Sequence, residues 1–236
     1  MRTIIKPYER ATTDYSNGQK VYYLAGGTEA LRLNSSVPSS STLVDLSLVL
    51  DKSLKLEKSI LTIGNGVTFT DLIESSLVPA AIKKSAHFCA SFAIRNAATV
   101  CGNIATCRDD SYMLPVLLSY GAVVNYVVGD KEYNQALSTY IKAEAKGLIL
   151  SITLNCEKKV EVKRIGLTSS SHAVVIVARS AELIAVAVKG SGVFVSANLD
   201  SLIEQIKFTT DMFGSAEYKE YLVKTICEKL SKELAI

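Results

Sequence analysis

The sequence predicts an α+β fold, on three observations. Up to about residue 154, short β-rich runs alternate with short helical ones. Between residues 160 and 197, four β-branched runs follow one another with only polar or glycine turns between them. Two helical patterns then close the sequence. A chain of 236 residues holds one large or two modest domains with ample core.

The elements follow in order. Residues 1–18 carry Pro7 and then Thr12, Thr13, Asp14, Ser16 and Asn17, which predict a helix start after an early strand. Residues 20–24 read as a strand, with a Gly-Gly turn and a short helical pattern behind it. Residues 34–42 form a serine-rich connector with Pro38. Residues 42–46 and 59–64 read as strands, the second broken by Gly64 and Gly66, and residues 70–76 as a helix. Residues 115–121 form an apolar helix, residues 122–128 a strand, Gly129-Asp130 a turn and residues 147–154 another strand. A polar boundary falls at residues 155–159. Beyond it, residues 160–167, 173–180, 183–190 and 193–197 predict an antiparallel meander. Ser201 with Glu204 suggests a capping box, with Leu202, Ile203, Ile206 and Phe213 on the buried face. In the last helix Tyr218, Leu222, Ile226, Leu230 and Leu234 form an apolar stripe.

Composition narrows the function. A net charge of +3 points to neither nucleic acid nor a membrane surface. No run of eighteen apolar residues occurs, and residues 1–7 lack a signal-peptide core, so a cytoplasmic protein is expected. Cys89, Cys101, Cys107, Cys156 and Cys227 are odd in number and make no C-x-x-C pair, which favours free thiols over disulfides, zinc or an iron–sulfur cluster. His87 and His172 have no carboxylate–nucleophile pattern around them, and neither is assigned a catalytic role.

The informative stretches are two small-residue runs some seventy residues apart. Around Ala25-Gly26-Gly27-Thr28, a strand, a Gly-Gly turn and a helix start would point N–H groups at an anion. Residues 93–106 are neither a good helix nor a good strand, and their small side chains let backbone approach a ligand. A tight packing turn is the alternative for this second run. The G-x-G-x-x-G dinucleotide fingerprint does not occur after a strand.

These two runs, with Leu43-Val44-Asp45-Leu46, Ile63-Gly64-Asn65-Gly66-Val67-Thr68, the Leu114–Ala122 segment and Gly214-Ser215-Ala216-Glu217-Tyr218, resemble the flavoprotein subunits of molybdenum hydroxylases. These are the medium subunits of xanthine dehydrogenase and carbon monoxide dehydrogenase type enzymes. The resemblance spans nearly the whole chain in the same order. It implies a two-part FAD-binding domain of the PCMH type over residues 1–155, and a smaller C-terminal α+β domain over residues 160–236 with an antiparallel sheet and helices.

By the same resemblance, Leu24, Ala25, Gly26, Gly27, Thr28 and Glu29 would hold FAD together with Ala98, Thr99, Val100, Gly102 and Asn103. Thr99, Gly102 and Asn103 would face its diphosphate. Phe88 would border the flavin, although a core phenylalanine is an equal reading, and a backbone contact is implied near Leu148 or Ile149. Two departures stand out. Cys101 replaces the first glycine of a Gly-Gly-Asn, and Tyr112 stands where the family has an aspartate for a ribose hydroxyl, with Asp109 or Asp110 as possible stand-ins.

The cofactor brings the redox chemistry and the protein orients it, so no catalytic side-chain constellation is required. The implied function is an FAD-binding electron-transfer subunit of a molybdenum hydroxylase complex. It would pass electrons from a partner's iron–sulfur clusters to an acceptor such as NAD, with molybdopterin on another subunit. The alternative is an assembly subunit with weakened or lost FAD binding.

Overall fold

A computed structural model describes residues 3–5, 21–33, 35, 37–89, 91–129, 131–143 and 147–235. The helix start expected within residues 6–18 and the Asp130 half of the turn lie outside them. Among the described residues the architecture is mixed, with three separate sheets and short helices packed around them.

The first sheet is parallel, with β3 (Thr42–Asp45) between β1 (Thr3–Ile5) and β2 (Val21–Leu24). As the central strand of a parallel sheet, β3 is covered on both faces. Leu43 packs with Leu24 and Val37 on one side, and Val44 packs with Leu46 and Leu148 on the other.

The second sheet is antiparallel, in the order β4 (Leu54–Glu57), β5 (Ile60–Gly64), β8 (Leu148–Asn155), β6 (Val123–Val128), β7 (Lys131–Ala136). Lys58 and Ser59, with φ of 46° and 67°, close the β4–β5 hairpin as a two-residue turn that needs left-handed backbone. Neither β4 nor β7 is expected from the sequence. They are the two edges of this sheet, and their sequences, LKLE and KEYNQA, carry the charge that keeps an edge from recruiting other strands.

Short helices lie between or beside these strands: α1 (Phe69–Glu74), α2 (Ala80–His87), α3 (Phe92–Ala97), α4 (Val100–Ala105), α5 (Leu114–Ser119) and α6 (Leu137–Tyr140). Thr68 and Asp71 form a reciprocal capping box at α1. Every residue of α5 is buried, because it is wedged between the second sheet's core and the third sheet.

The third sheet is the expected meander, in the order β12 (Gly192–Ser196), β11 (Ile184–Val188), β10 (Ala173–Arg179), β9 (Glu161–Gly166). Its alternation is informative. Ile176, Ala178, Ala185 and Ala187 face α5 with mostly small side chains, which lets the helix come close. Val175, Val177, Val186 and Val188 face the other way, into a core built with α7 (Leu199–Gln205) and α8 (Ala216–Leu234).

Both C-terminal helices differ in detail from the expectation. The cap of α7 is Asn198, whose side chain accepts from the N–H groups of Asp200 and Ser201, and Ser201 lies inside the helix. The buried face of α8 is Lys219, Val223, Ile226, Cys227 and Leu230, while Tyr218 is 45% exposed. A strict four-residue repeat drifts around a helix of 3.6 residues per turn, so the true stripe mixes spacings of three and four. Lys219 is fully buried, and its three ammonium donors are satisfied by Lys189 O at 2.8 Å, Thr209 O at 2.9 Å and Asp211 Oδ2 at 2.7 Å. No helix among the described residues is long and apolar enough to cross a membrane.

Candidate functional site

A cleft of about 1290 Å³ opens where both small-residue runs meet. The first run leaves β2 at Leu24, whose carbonyl accepts from Leu46 N at 2.9 Å, and turns at Gly27 with φ of 70°. The segment behind it is a succession of turns, closed by Leu31 N to Gly27 O at 3.0 Å, and not the expected helix start. Any anion attraction here therefore comes from individual N–H groups and not from a helix dipole. The N–H groups of residues 26–29 donate to no other described residue. Successive unspent N–H groups at a turn make an anion cradle.

Gly26 explains how the two runs are joined. A Cβ built on it would stand 1.6 Å from the carbonyl oxygen of Ala97, so only glycine lets the first run press against the second. The second run is structured: α3 and α4 are joined at Ala98 and Thr99, replacing the irregular loop expected from its composition. Two contacts with the start of α1 and the residues leading into it pin this joint, Phe69 N to Ala98 O and Val100 N to Val67 O, both at 3.0 Å. Thr99 caps α4 by accepting from Gly102 N at 3.1 Å, and Asn103 N donates to Thr99 O at 3.0 Å. The N–H groups of Val100, Gly102 and Asn103 are thus spent inside the protein. The Thr99 N–H and O–H and the Asn103 amide nitrogen, by contrast, donate to no other described residue. The Asn103 Oδ1 already accepts from Ser111 Oγ at 2.6 Å and Met113 N at 3.3 Å.

Leu24, Ala25, Gly26, Gly27, Thr28, Glu29, Ala98, Thr99, Gly102, Asn103 and Tyr112 all line the cleft. Phe88, Val100 and Ile149 do not. Phe88 ends α2 and is half-buried against the core, and Val100 is wholly buried within it. Ile149 is also in the core, and its carbonyl accepts from Asn65 Nδ2 at 3.3 Å. Asn65 in turn accepts from Asp51 N at 2.8 Å, so the Gly64-Asn65-Gly66 turn staples residue 51 to β8 and lies off the cleft.

Asp109 and Asp110, both lining the cleft, are engaged in ion pairs within the chain. Asp110, 4% exposed, holds Arg108 with both oxygens, at 2.7 Å and 2.9 Å, and Arg108 reaches on to Glu29 of the first run at 2.9 Å. Lys189, at the end of β11, contacts Asp110 at 3.0 Å and Asp109 at 2.9 Å, and His172 Nδ1 is 3.3 Å from Asp110. Burial pushes the Asp110 pKa up, but the hydrogen bonds and charges of Arg108 and Lys189 outweigh it and bring it to about 2. Burial likewise raises the Tyr112 phenol, which stays neutral.

Sequence reading did not single out Arg108 or Lys189 for the cleft and left His172 unassigned. The Arg108-Asp109-Asp110 triplet was a visible local signal. Lys189 and His172 had none, since only the placement of the third sheet brings them here. All five cysteines are free, and no group of three or more metal-ligating side chains forms among the described residues.

Residues 5–154 match the family model described as the FAD binding domain in molybdopterin dehydrogenase. In structure the chain is similar to quinoline 2-oxidoreductase from Pseudomonas putida 86, with a TM-score of 0.78 at 17% identity over 91% of this chain and 89% of that one. It is also similar to carbon monoxide dehydrogenase from Hydrogenophaga pseudoflava, with a TM-score of 0.77 at 16% identity over 90% and 88% of the two chains. For the enzyme of Oligotropha carboxidovorans the values are 0.70, 17%, 90% and 88%. At such identities the likeness establishes a shared fold. No curated protein matches by sequence.

Proposed function

The chain belongs to the family of FAD binding domains in molybdopterin dehydrogenases, and from that premise we propose that it is the FAD-binding electron-transfer subunit of a molybdenum hydroxylase complex. In this reading it takes electrons from a partner's iron–sulfur clusters and hands them to an acceptor such as NAD. The iron–sulfur and molybdopterin centres sit on partner subunits. Residues 1–155 form the FAD-binding domain and residues 160–236 the smaller domain beside it.

The observation that carries the cofactor's place is the row of N–H groups at residues 26–29, which donate to no other described residue and belong to residues lining a cleft of about 1290 Å³. Ordinary small-molecule pockets measure roughly 300–1000 Å³, so the cleft suits an extended dinucleotide. The residues present fit FAD: the first run meets its diphosphate with backbone donors, and Thr99 and Asn103 add a hydroxyl and an amide. FAD, when bound, supplies exchange of electrons singly or in pairs, which joins one-electron clusters to a two-electron acceptor. The chain's own part is to fix that group between the two runs, neutralise its charge and exclude water from one side.

The test is titration of the purified chain with FAD, followed by its visible absorption. Saturable one-to-one uptake is expected, with loss of uptake in Gly27→Val, where φ of 70° excludes a branched side chain. A folded parent that takes up no flavin would favour the assembly-subunit alternative. Hydroxylase turnover by the chain alone would overturn the division of labour among subunits.

A further inference from the structure

We propose that Arg108 is a positioning residue for the cofactor: through Glu29 it holds the first run in the shape that receives the diphosphate, and it offsets the charge of the Glu29 carboxylate there. The proposal rests on the FAD reading above. The core holds this run lightly. No residue from 25 to 32 is buried, and behind Gly27 the backbone is closed by turn hydrogen bonds, Leu31 N to Gly27 O at 3.0 Å and Arg32 N to Glu29 O at 3.4 Å. Glu29 reaches out of the segment: its Oε1 accepts from Arg108 Nη1 at 2.9 Å, across 79 residues of sequence. Both residues line the cleft, and the Arg108 and Glu29 side chains are 22% and 26% exposed.

Arg108 is suited to be the fixed end of that pair. Its Nε and Nη2 are engaged by the two oxygens of Asp110, at 2.7 Å and 2.9 Å, so the planar guanidinium is oriented before Glu29 meets it. Asp110 is itself held by Lys189 at 3.0 Å, and the carbonyl of Lys189 by the buried ammonium of Lys219 at 2.8 Å. A partner already immobilised loses less conformational entropy in the contact than a free side chain would. The charge matters as well. Glu29 lies two residues from Gly27, among the N–H groups that would receive a diphosphate, and a bare carboxylate there would repel the ligand. Arg108 answers that charge at contact distance, whereas a neutral residue in its place would leave it standing.

Arg108→Gln, Glu29→Ala and the double variant test this by FAD titration. Arg108→Gln should raise the FAD dissociation constant about three- to tenfold in the parent background, the range for one hydrogen bond, and by less than about twofold in the Glu29→Ala background. A merely structural role would weaken both backgrounds alike, and that result would overturn the proposal. Amide exchange of the apoprotein gives a second readout. The Leu31 N–H, which closes the turn on Gly27 O, should exchange faster in Glu29→Ala as well as in Arg108→Gln. Glu29→Ala removes no buried side chain, so it carries the test if Asp110, left without Arg108, keeps the other variant from folding. Unchanged Leu31 exchange in Glu29→Ala would overturn the proposal too. A parent chain that takes up no FAD overturns the cofactor reading and this proposal together, whereas a binding parent with equal losses in the two backgrounds overturns this proposal alone.

Discussion

The two small-residue runs look alike in composition and do opposite work with their backbones. The first is a turn that keeps its donors: the N–H groups of residues 26–29 donate to no other described residue. The second is a pair of short helices that has used its donors at Val100, Gly102 and Asn103 to hold itself together. The glycines differ in the same way. Gly26 is there because another backbone occupies its Cβ position, at 1.6 Å, while a Cβ on Gly102 would meet only the Thr99 hydroxyl at 2.8 Å. One run keeps its backbone donors, and the other spends several of its own on packing.

Gly26→Ala strikes this contrast hardest. The Ala97 carbonyl is fixed by α3 and cannot withdraw, so the runs must separate. A loss of about 3 kcal/mol of stability, the upper end for overpacking, is expected together with FAD uptake too weak to titrate. A variant that melts and binds as the parent does would show that the runs need not touch.

Asp110→Asn comes next, because it leaves Arg108 and Lys189 without the carboxylate between them. Breaking a buried pair from one side costs about 3 kcal/mol, readable by urea unfolding. The pH dependence has a definite sign. Asp110 is depressed from 3.8 to about 2 in the folded chain, so its stabilisation is complete above 3.8 and drains away as the pH falls toward 2. The asparagine variant should lose less stability than the parent over that window.

Asn103 separates donor from buttress. Asn103→Ala would remove the acceptor for Ser111 and Met113 as well as the amide donor, so it weakens fold and binding together. Asn103→Asp keeps the acceptor and removes the donor. It should fold as the parent does and bind FAD about tenfold or more weakly, as expected when a charged ligand loses a donor. Equal affinity would leave the second run with packing alone.

Gly102→Ala should have the smallest effect. Disturbing the Thr99 cap costs about 1 kcal/mol, and the helix preference of alanine over glycine returns a similar amount. A net change within about 1 kcal/mol would confirm that this glycine, unlike Gly26, is not wedged against backbone. A collapse comparable to Gly26→Ala would erase the distinction.

Much of this was legible beforehand because small residues mark where a backbone must come close. The reason for the closeness was not legible. Gly26 and Gly102 have the same side chain and the same small-residue surroundings, and only the packing tells the contact with Ala97 from an open helix face. The strands that escaped notice, β4 and β7, are edges, where charge masks the alternation that betrays buried strands. The meander was plain because β10 and β11 are buried along nearly their whole length and read as continuous apolar runs. Lys189 and His172 reach the cleft from elements distant in sequence, and no local pattern announces a meeting that only the assembled sheets create.

The buried ammonium of Lys219 gives the cleft a place in time. It ties α8 to the carbonyl of Lys189, whose own side chain grips Asp109 and Asp110 at the cleft wall. Among the described elements α8 is the last to leave the ribosome. The wall is therefore secured only once residue 219 has been made, so loading of the cofactor is expected to wait for α8. Nascent chains stalled before residue 216 should retain less FAD than released ones, and equal retention would show that the wall stands without its last tie.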